Sequence, residues 1–385
     1  MRRAEGGRLS IAPGTHEDAR ARPVAEDSTI LVRCRAFIGD AIMALPALEA
    51  LRERYPSARI VFAANRAVAS LLEDDPRIDE FVALAPIGQS PGAHLRCVSR
   101  YWSLLRRERP AAHIALDAGG NVLPQLIWLA RVPRRLACMG REVTGRRWHR
   151  APNWLLTDHL PTPEQMGLHR AHGFLKLVSL LDCDPKPRPA RLQMTVSQRE
   201  RGRSLLEATG AGSALTVAFH PGASWIDRKW PIERMVQAAQ QLASEGVQPI
   251  ALGGPADDLE VQRLIGQAGA THVPTPGVGD LAWALGAVDA LVANDSGPMH
   301  IAAALGTAVV ALFGPNDPAV VGPDPLQPRA RVLYHPLECS PCPQMTLDAD
   351  ARCARPHGVW CMEQIRVDEV LKAVHGLLAE SRAEP

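Results

Sequence analysis

The sequence predicts an α/β protein with two Rossmann-like domains, and three observations support this prediction. The chain has 385 residues, which is too long for one typical domain core and suits two. Short apolar, β-branched runs alternate with helical patterns in both halves, as is typical of parallel sheets. A polar, proline-rich stretch at 183–200 lies between the halves and is the expected linker.

The N-terminal half contains three predicted strands with helices between them. The first strand, TILVRC at 29–34, is followed by apolar residues at helical spacing over 41–54. The next predicted strands are ARIVFAAN at 58–65 and AAHIALDAGG at 111–120. Residues 1–27 are rich in Arg, Ala, Gly and Pro without periodicity, so we expect a mobile leader there.

The same alternation begins again in the C-terminal half. Its predicted elements are strands at 214–222, 247–255, 290–295 and 307–315 and helices at 231–245 and 257–268. We therefore expect an N-terminal domain at 28–190 and a C-terminal domain at 191–385. Because ligands of such sheets collect beyond the carboxyl ends of the strands, the predicted site is the cleft between the domains.

The composition limits the classes of partner. Hydrophobic residues make up 46% of the chain and charged residues 22%, the pattern of a folded globular protein. A net charge of +2 gives no reason to expect a nucleic-acid partner. The sequence has no apolar run near the ~20 residues that span a bilayer and no signal-peptide pattern at its start, so we expect a cytoplasmic protein.

The strongest local motif is DSGPMH at 295–300, between a predicted strand and an apolar helix. Asp295 is the predicted N-cap, and Pro298 stands where a first-turn proline is tolerated. Free amides at the helix start, beside the small residues Ser296 and Gly297, would suit a diphosphate. An ordinary capped helix is an equally weighted interpretation.

Two further loops follow predicted strands. HPGAS at 220–224 precedes a helix start that contains Lys229, whose charge could neutralise a leaving diphosphate. A solvated helix start is the alternative for Lys229. FIGD at 37–40 contains Gly39, which would permit a tight turn, and Asp40, which could take a proton from an acceptor hydroxyl. For Asp40 alone, a helix cap is the favoured interpretation.

Taken together, IGDAIMALPALEALRERYP, HPGASWIDRKWP, ANDSGPMHIAAALG and ALFGPNDP resemble glycosyltransferase family 9, the ADP-heptose:lipopolysaccharide heptosyltransferases. The motifs occur in the family's order from residue 29 to about 372. The cysteine-containing segment near the C-terminus is more similar to the heptosyltransferase II branch. The resemblance implies a GT-B fold in which the C-terminal domain holds the sugar nucleotide and the N-terminal domain presents the acceptor.

The resemblance also implies roles for individual residues. Asp40 would be the catalytic base, Lys229 would contact the donor phosphates, and Asp295 would lie near the donor sugar. The implied donor-binding set is His220, Gly222, Ser224, Lys229, Asp257, Asp295, Ser296, Gly297 and His300. The implied reaction is one inverting displacement that releases ADP and requires no cofactor for catalysis.

Four cysteines near the C-terminus allow two interpretations. Cys339, Cys342, Cys353 and Cys361 match a tetrathiolate site for structural zinc or iron. The gaps between the later cysteines are irregular, which favours ordinary reduced thiols.

A basic segment at 131–150 contains seven arginines and one acidic residue, and it favours an anionic acceptor. A phosphorylated glycolipid, or contact with the inner face of the inner membrane, would fit. The candidate acceptor-binding residues are Arg134, Arg135 and His169, although a solvated charged face and a structural histidine are competing interpretations.

Other functions make different demands on the sequence. A nicotinamide-dependent dehydrogenase would need G-x-G-x-x-G after the first strand, and this chain has no such run. A non-catalytic sugar-nucleotide-binding module would not need Asp40 together with Lys229 and Asp295. Within the enzyme interpretation, a protein or a small molecule is the alternative acceptor.

Overall fold

The structure is a computed structural model that describes residues 23–34, 37–84, 91–116, 123–138, 153–211, 214–254, 257–342, 353 and 360–383. Residues 1–22 of the predicted leader and 139–150 of the basic segment lie outside these ranges. The described end of the predicted leader contains Val24, which is buried in the core. No described helix is both long and apolar enough to cross a bilayer.

The N-terminal half forms one parallel sheet of six strands. Its elements are β1 (Thr29–Cys34), α1 (Ile38–Met43), α2 (Leu45–Arg54), β2 (Arg59–Asn65), α3 (Ala69–Leu72), β3 (Glu80–Leu84), α4 (Pro91–Glu108), β4 (Ala112–Ala115), α5 (Leu123–Leu129), β5 (Arg134–Cys138), β6 (Asp158–Leu160) and α6 (Arg170–Val178). The strands lie in the order β3-β2-β1-β4-β5-β6.

The C-terminal half forms a second parallel sheet of six strands. Its elements are α7 (Val196–Glu207), β7 (Thr216–His220), α8 (Ile232–Ser244), β8 (Gln248–Ala251), α9 (Asp258–Ala268), β9 (Thr271–His272), α10 (Val278–Leu285), β10 (Ala290–Asn294), α11 (Gly297–Leu305), β11 (Ala308–Phe313), α12 (Pro318–Val321), β12 (Ala330–Tyr334), α13 (Trp360–Glu363) and α14 (Val367–Ala383). The strands lie in the order β12-β11-β10-β7-β8-β9.

Both sheets have the strand order of a Rossmann fold, because β7 to β12 repeat the connectivity of β1 to β6. The prediction of an α/β fold with two Rossmann-like units is therefore confirmed. In this order the first three strands are added toward one edge of the sheet and the next three toward the other edge. Ligands of such sheets bind at the switch point beside the first strand, beyond the carboxyl ends of the strands. These positions follow β1 and β4 in one half and β7 and β10 in the other.

The helix predicted at 41–54 is two helices, α1 and α2, which meet at Ala44. Pro46 explains the break, since it has no amide hydrogen to donate to the carbonyl four residues earlier. Gly39 and Asp40 lie inside α1, so the tight turn predicted at Gly39 is wrong. The consequence is that Asp40 is fixed on a helix rather than on a loop.

The predicted linker is shorter than expected. Residues 183–194 have no regular secondary structure, but α7 begins at Val196. The Thr195 hydroxyl accepts from the Gln198 amide at 3.2 Å, and the Gln198 side chain accepts from the Thr195 amide at 2.9 Å. This reciprocal capping box starts the helix inside the polar stretch.

Candidate active site

The two halves meet where α1 packs against α11, and glycines allow the contact. A Cβ atom at Gly39 would lie 2.6 Å from Cδ2 of His300, and one at Gly297 would lie 2.9 Å from Cβ of Ile38. Neither distance is tolerated between carbon atoms, so this approach requires both glycines. α1 follows β1 and α11 follows β10, and each of these strands borders the point at which the strand order of its sheet changes direction. Parallel sheets of this order bind ligands at that point, so the two expected ligand-binding positions face each other across the contact.

Asp40 is buried in this contact and held by an arginine. Its Oδ1 atom accepts from Nη1 of Arg170 at 2.7 Å, and its Oδ2 atom accepts from the Phe37 amide at 3.1 Å. Arg170 also donates to Glu164 at 2.5 Å. Burial would lower the pKa of Arg170, but the charges of Asp40 and Glu164 outweigh it and raise that pKa. Asp40 thus accepts a hydrogen bond from the start of its own helix and also pairs with Arg170. Arg170 is a site residue that the sequence does not reveal.

Asp295 is likewise held by other side chains rather than by its helix. The N-cap of α11 is Ser296, so the predicted capping by Asp295 is wrong. Its Oδ2 atom accepts from Asn316 at 2.6 Å and lies 3.2 Å from Nη1 of Arg228. Burial raises the pKa of Asp295, while Arg228 and Asn316 oppose the rise. The carboxylate turns toward these partners and away from the amides of α11.

Arg228 is a second site residue that the sequence analysis does not identify. Its guanidinium carbon lies 3.7 Å from the ring centroid of Trp225, which packs edge-to-face on Phe37 from the loop after β1. Burial lowers the pKa of Arg228, and the charges of Asp295 and Asp40 oppose this effect. Asp40, Arg170, Arg228 and Asp295 therefore form one charge cluster across the two halves, called here the interdomain charge cluster.

Several predicted donor-binding residues come together beyond β7 and β8. Lys229 Nζ lies 2.7 Å from Glu260 Oε1 and 3.8 Å from Asp257 Oδ1. Asp257 lies directly over Gly222, where a Cβ atom would be 2.5 Å from Oδ2 of Asp257. His220 is buried at the end of β7, and burial lowers its pKa. The structure thus pairs Lys229 with two carboxylates.

The start of α11 presents groups that lack partners. The Ser296 hydroxyl oxygen is buried without a hydrogen-bond partner, and it makes no side-chain cap. His300, one turn later, is buried, which lowers its pKa to about 3, so it is neutral at pH 7. Ser224, in contrast, is exposed on the loop after β7.

The predicted acceptor-binding residues have internal partners. Arg134 pairs with Asp158 at 3.2 Å and donates to the Leu180 carbonyl at 2.8 Å. Arg135 donates to the carbonyls of Leu155 and Val132 at 2.6 and 2.7 Å. The His169 ring is buried and contacts the Gly322 carbonyl oxygen at 3.0 Å. These internal contacts do not test acceptor binding, so the acceptor role stays a prediction.

The cysteine segment contacts loops of the charge cluster. The Cys353 amide donates to Asp227 at 2.8 Å, and the Cys342 amide donates to the Pro315 carbonyl at 2.6 Å. Asp227 precedes Arg228, and Pro315 precedes the Asn316 that holds Asp295. All eight cysteines are free thiols. Among described residues, the four predicted ligands do not form a group with all sulfur atoms within 4.8 Å.

Comparison with known proteins assigns the family. The sequence model of glycosyltransferase family 9 (heptosyltransferase) matches residues 122–351. The chain belongs to glycosyltransferase family 9. It is 26% identical over 313 residues to lipopolysaccharide heptosyltransferase 2 of Escherichia coli K12, covering 79% of this chain and 87% of that protein. The family resemblance is thereby confirmed, and the chain is a glycosyltransferase.

Solved structures agree with the GT-B fold of this family 9 enzyme. The structure of E. coli ADP-heptose lipopolysaccharide heptosyltransferase II aligns with a TM-score of 0.70 and 22% identity over 92% of this chain and all of that one. The iron-containing dodecameric glycosyltransferase TibC of enterotoxigenic E. coli aligns with a TM-score of 0.58 and 13% identity, covering 93% of this chain and 78% of that one.

The contact between α1 and α11 generates a prediction for this family 9 enzyme. Gly39→Ala should force His300 and α1 apart, lower the free energy of unfolding by about 1–3 kcal/mol and reduce turnover. Urea denaturation and initial rates would measure both effects.

Gly266→Ala is the matched control, because Gly266 lies in α9 and an added Cβ there meets nothing within 4 Å. That variant should keep its rate and gain up to about 1 kcal/mol from helix propensity. Equal rates and stabilities for the two variants would show that close approach at Gly39 does not matter.

Proposed function

We propose that this glycosyltransferase moves a heptose from ADP-heptose, with inversion at the anomeric carbon, to the inner core of lipopolysaccharide. The observation that carries the proposal is the interdomain charge cluster, in which Asp40 and Asp295 reach one contact from opposite halves. The names of the E. coli relatives support the choice of sugar, donor and acceptor.

In the proposed reaction Asp40 removes the proton from the acceptor hydroxyl. A base must lie on the face of the sugar opposite the leaving group, and Asp40 belongs to the half that does not contain the Lys229 loop. The ion pair with Arg170 supports this role because it fixes the direction of the carboxylate. Placing the base and the hydroxyl in reach contributes typically 10²–10⁴-fold to the rate.

The departing ADP would be held by the C-terminal half. The amides at the start of α11 and the unpartnered hydroxyl of Ser296 suit the diphosphate. Lys229 would exchange Glu260 and Asp257 for a phosphate oxygen, and Asp257 would turn to the ribose. Fixed cationic and dipolar groups of this kind stabilise charge on a leaving group, so the proposed step needs no catalytic metal.

The acceptor in this proposal is an anionic glycolipid at the inner face of the inner membrane, and the enzyme would contact that surface peripherally from the cytoplasm. Support comes from the arginine-rich sequence at 131–150 and from the names of the relatives. A protein or small-molecule acceptor is the alternative, and a non-catalytic sugar-nucleotide-binding module is the alternative to an enzyme.

A donor and acceptor screen tests the proposal. The purified enzyme should transfer mass equal to one heptose from ADP-heptose to lipopolysaccharide truncated in its inner core, as measured by mass spectrometry. Nuclear magnetic resonance of the product should give the anomeric configuration opposite to that of the donor. Preferred transfer from another nucleotide sugar, or a retained configuration, would refute the proposal.

Asp40→Asn tests the base. Because the amide keeps the shape but cannot accept the proton, kcat should fall by about a hundredfold or more. ADP affinity, measured by calorimetry, should change little. Asp74→Asn makes the same change at an exposed carboxylate just after α3, and this variant should keep the wild-type rate. More than about a tenth of the wild-type rate in Asp40→Asn would remove Asp40 from this role.

We also propose that Cys339, Cys342, Cys353 and Cys361 bind a structural zinc or iron ion. The iron content named for TibC supports this, as does the neighbourhood of the thiols: burial, together with the nearby thiols of Cys353 and Cys339, raises the pKa of Cys361 to about 11. Closing the site would require the sulfur atoms of Cys339, Cys342, Cys353 and Cys361 to come closer together. A bound ion would then stiffen the loops that carry Arg228 and Asn316.

Elemental analysis of the enzyme purified under reducing conditions checks this site. Wild type should contain one more zinc or iron ion per chain than Cys342→Ser, and Cys342→Ser should melt at a lower temperature. Cys97→Ser, on α4, should match wild type in both properties. Equal metal content and equal melting temperatures in wild type and Cys342→Ser would leave four ordinary thiols.

A further inference from the structure

Three other side chains with metal-binding atoms meet at the boundary between the halves. His169 and His172 lie at the start of α6, and Asp324 follows α12. Asp324 Oδ2 is 3.1 Å from Nε2 of His172 and 4.0 Å from Nδ1 of His169. The three ligand atoms all lie within 4.8 Å of one another, and no other group of His, Cys, Asp or Glu in the described part of the chain does so.

None of the three atoms makes a hydrogen bond of good geometry within the protein. Nδ1 of His169, Nε2 of His172 and Oδ2 of Asp324 are all buried and lack a hydrogen bond. The distance between His172 and Asp324 suits an ion pair, but the pair does not meet hydrogen-bond geometry. Even if His172 and Asp324 form an ion pair, Nδ1 of His169 still lacks a hydrogen-bond partner. Buried polar atoms without a hydrogen bond are costly, so a ligand that all three atoms could contact would be favoured at this point.

The outer contacts of His169 and Asp324 determine which of their atoms face the cluster. Nε2 of His169 faces the Gly322 carbonyl at 3.0 Å, and since a carbonyl only accepts, Nε2 carries the proton. In the neutral ring Nδ1 then presents a lone pair to Asp324. Oδ1 of Asp324 accepts from the Leu326 amide at 2.9 Å, which leaves Oδ2 for the rings. Such outer contacts orient the ligands of metal sites.

We infer that His169, His172 and Asp324 bind a divalent transition-metal ion of the zinc class. Two imidazole nitrogens and one carboxylate oxygen are a ligand set that zinc prefers, whereas magnesium and calcium prefer oxygen. Zinc–ligand distances of about 2 Å place ligand atoms roughly 3–4 Å apart, close to the separations found here. A cavity of about 10 Å³, close to the smallest volume that holds one water, adjoins His169 and Asp324.

The ion would join the two halves beside the charge cluster. His169 and His172 belong to the N-terminal half, and Asp324 belongs to the C-terminal half. His169 immediately precedes Arg170, the residue that holds Asp40. Fixing His169 to Asp324 would therefore fix the start of α6 and, through it, the position of Arg170. This is a positioning role, and it does not depend on which sugar or acceptor the enzyme uses.

Zinc titration of the full-length enzyme after chelator treatment tests the inference. Calorimetry and elemental analysis should find one more zinc per chain in wild type than in Asp324→Asn or His172→Gln, with affinity for that ion lowered tenfold or more in each variant. Zinc should raise the melting temperature of wild type by more than that of either variant, because it binds only the folded site.

The comparison is controlled in two ways. All of these proteins contain the same four cysteines near the C-terminus, so any metal bound by thiolates cancels between them. His272→Gln removes an exposed imidazole on β9 and should behave as wild type. If Asp324→Asn fails to fold, His172→Gln, which alters a half-buried side chain, decides the question. Equal zinc content and equal zinc-dependent melting in wild type and the folded variants would overturn the inference.

Discussion

The close approach of α1 and α11 is the constraint on which the site depends. α1 starts at the carboxyl end of β1 and α11 at the carboxyl end of β10. Both strands border the point at which the strand order of their sheet changes direction, where parallel sheets of this order bind ligands. Gly39 and Gly297 let the helices pack without an intervening Cβ layer. Without that approach Asp40 would have no counterpart from the other half. The glycines therefore determine the geometry although they contribute no functional group.

Once the helices approach, the charges between them must be balanced. Asp40 and Asp295 are both buried, and two unpaired carboxylates in such a place would be expensive. Arg170 and Arg228 supply the balance, each as the direct partner of one carboxylate. Buried ion pairs of this kind add little net stability, because desolvation offsets their attraction. Their benefit lies in fixed orientation, which the proposed base and the proposed leaving-group site would require.

The sequence predicts the central strands well and the edges poorly. β1, β7, β10 and β11 are continuous apolar runs because they are covered on both faces. The edge strands β3, β6, β9 and β12 are only partly buried, and none of them is predicted from the sequence; neither is β5, which begins with two arginines.

The candidate site was predictable to a similar degree and for a related reason. Motifs at strand ends identify the loops of Asp40, Lys229 and Asp295, but not the partners of these residues. Arg170 lies 130 residues from Asp40, and only the tertiary fold brings the two together. Asp295 seemed a helix cap because local spacing cannot reveal Arg228 and Asn316. Arg228 lies in the motif HPGASWIDRKWP. Its position next to Lys229 is the one feature of the sequence that could have identified it as a site residue.

The internal ion pairs also bear on how this site accepts substrates. Lys229 is paired with Glu260 and Asp257, as Asp40 is paired with Arg170. A phosphate that replaces the carboxylates around Lys229 exchanges one anion for another, so the cation never becomes buried without a partner. In the proposed reaction an acceptor hydroxyl at Asp40 would share the carboxylate with Arg170, since the Phe37 amide is the one partner of Oδ2 within the described ranges. The ion pairs of Lys229 and Asp40 thus satisfy these charges in this structure. They also hold both side chains in position for the phosphate and the acceptor hydroxyl that the proposed reaction would bring.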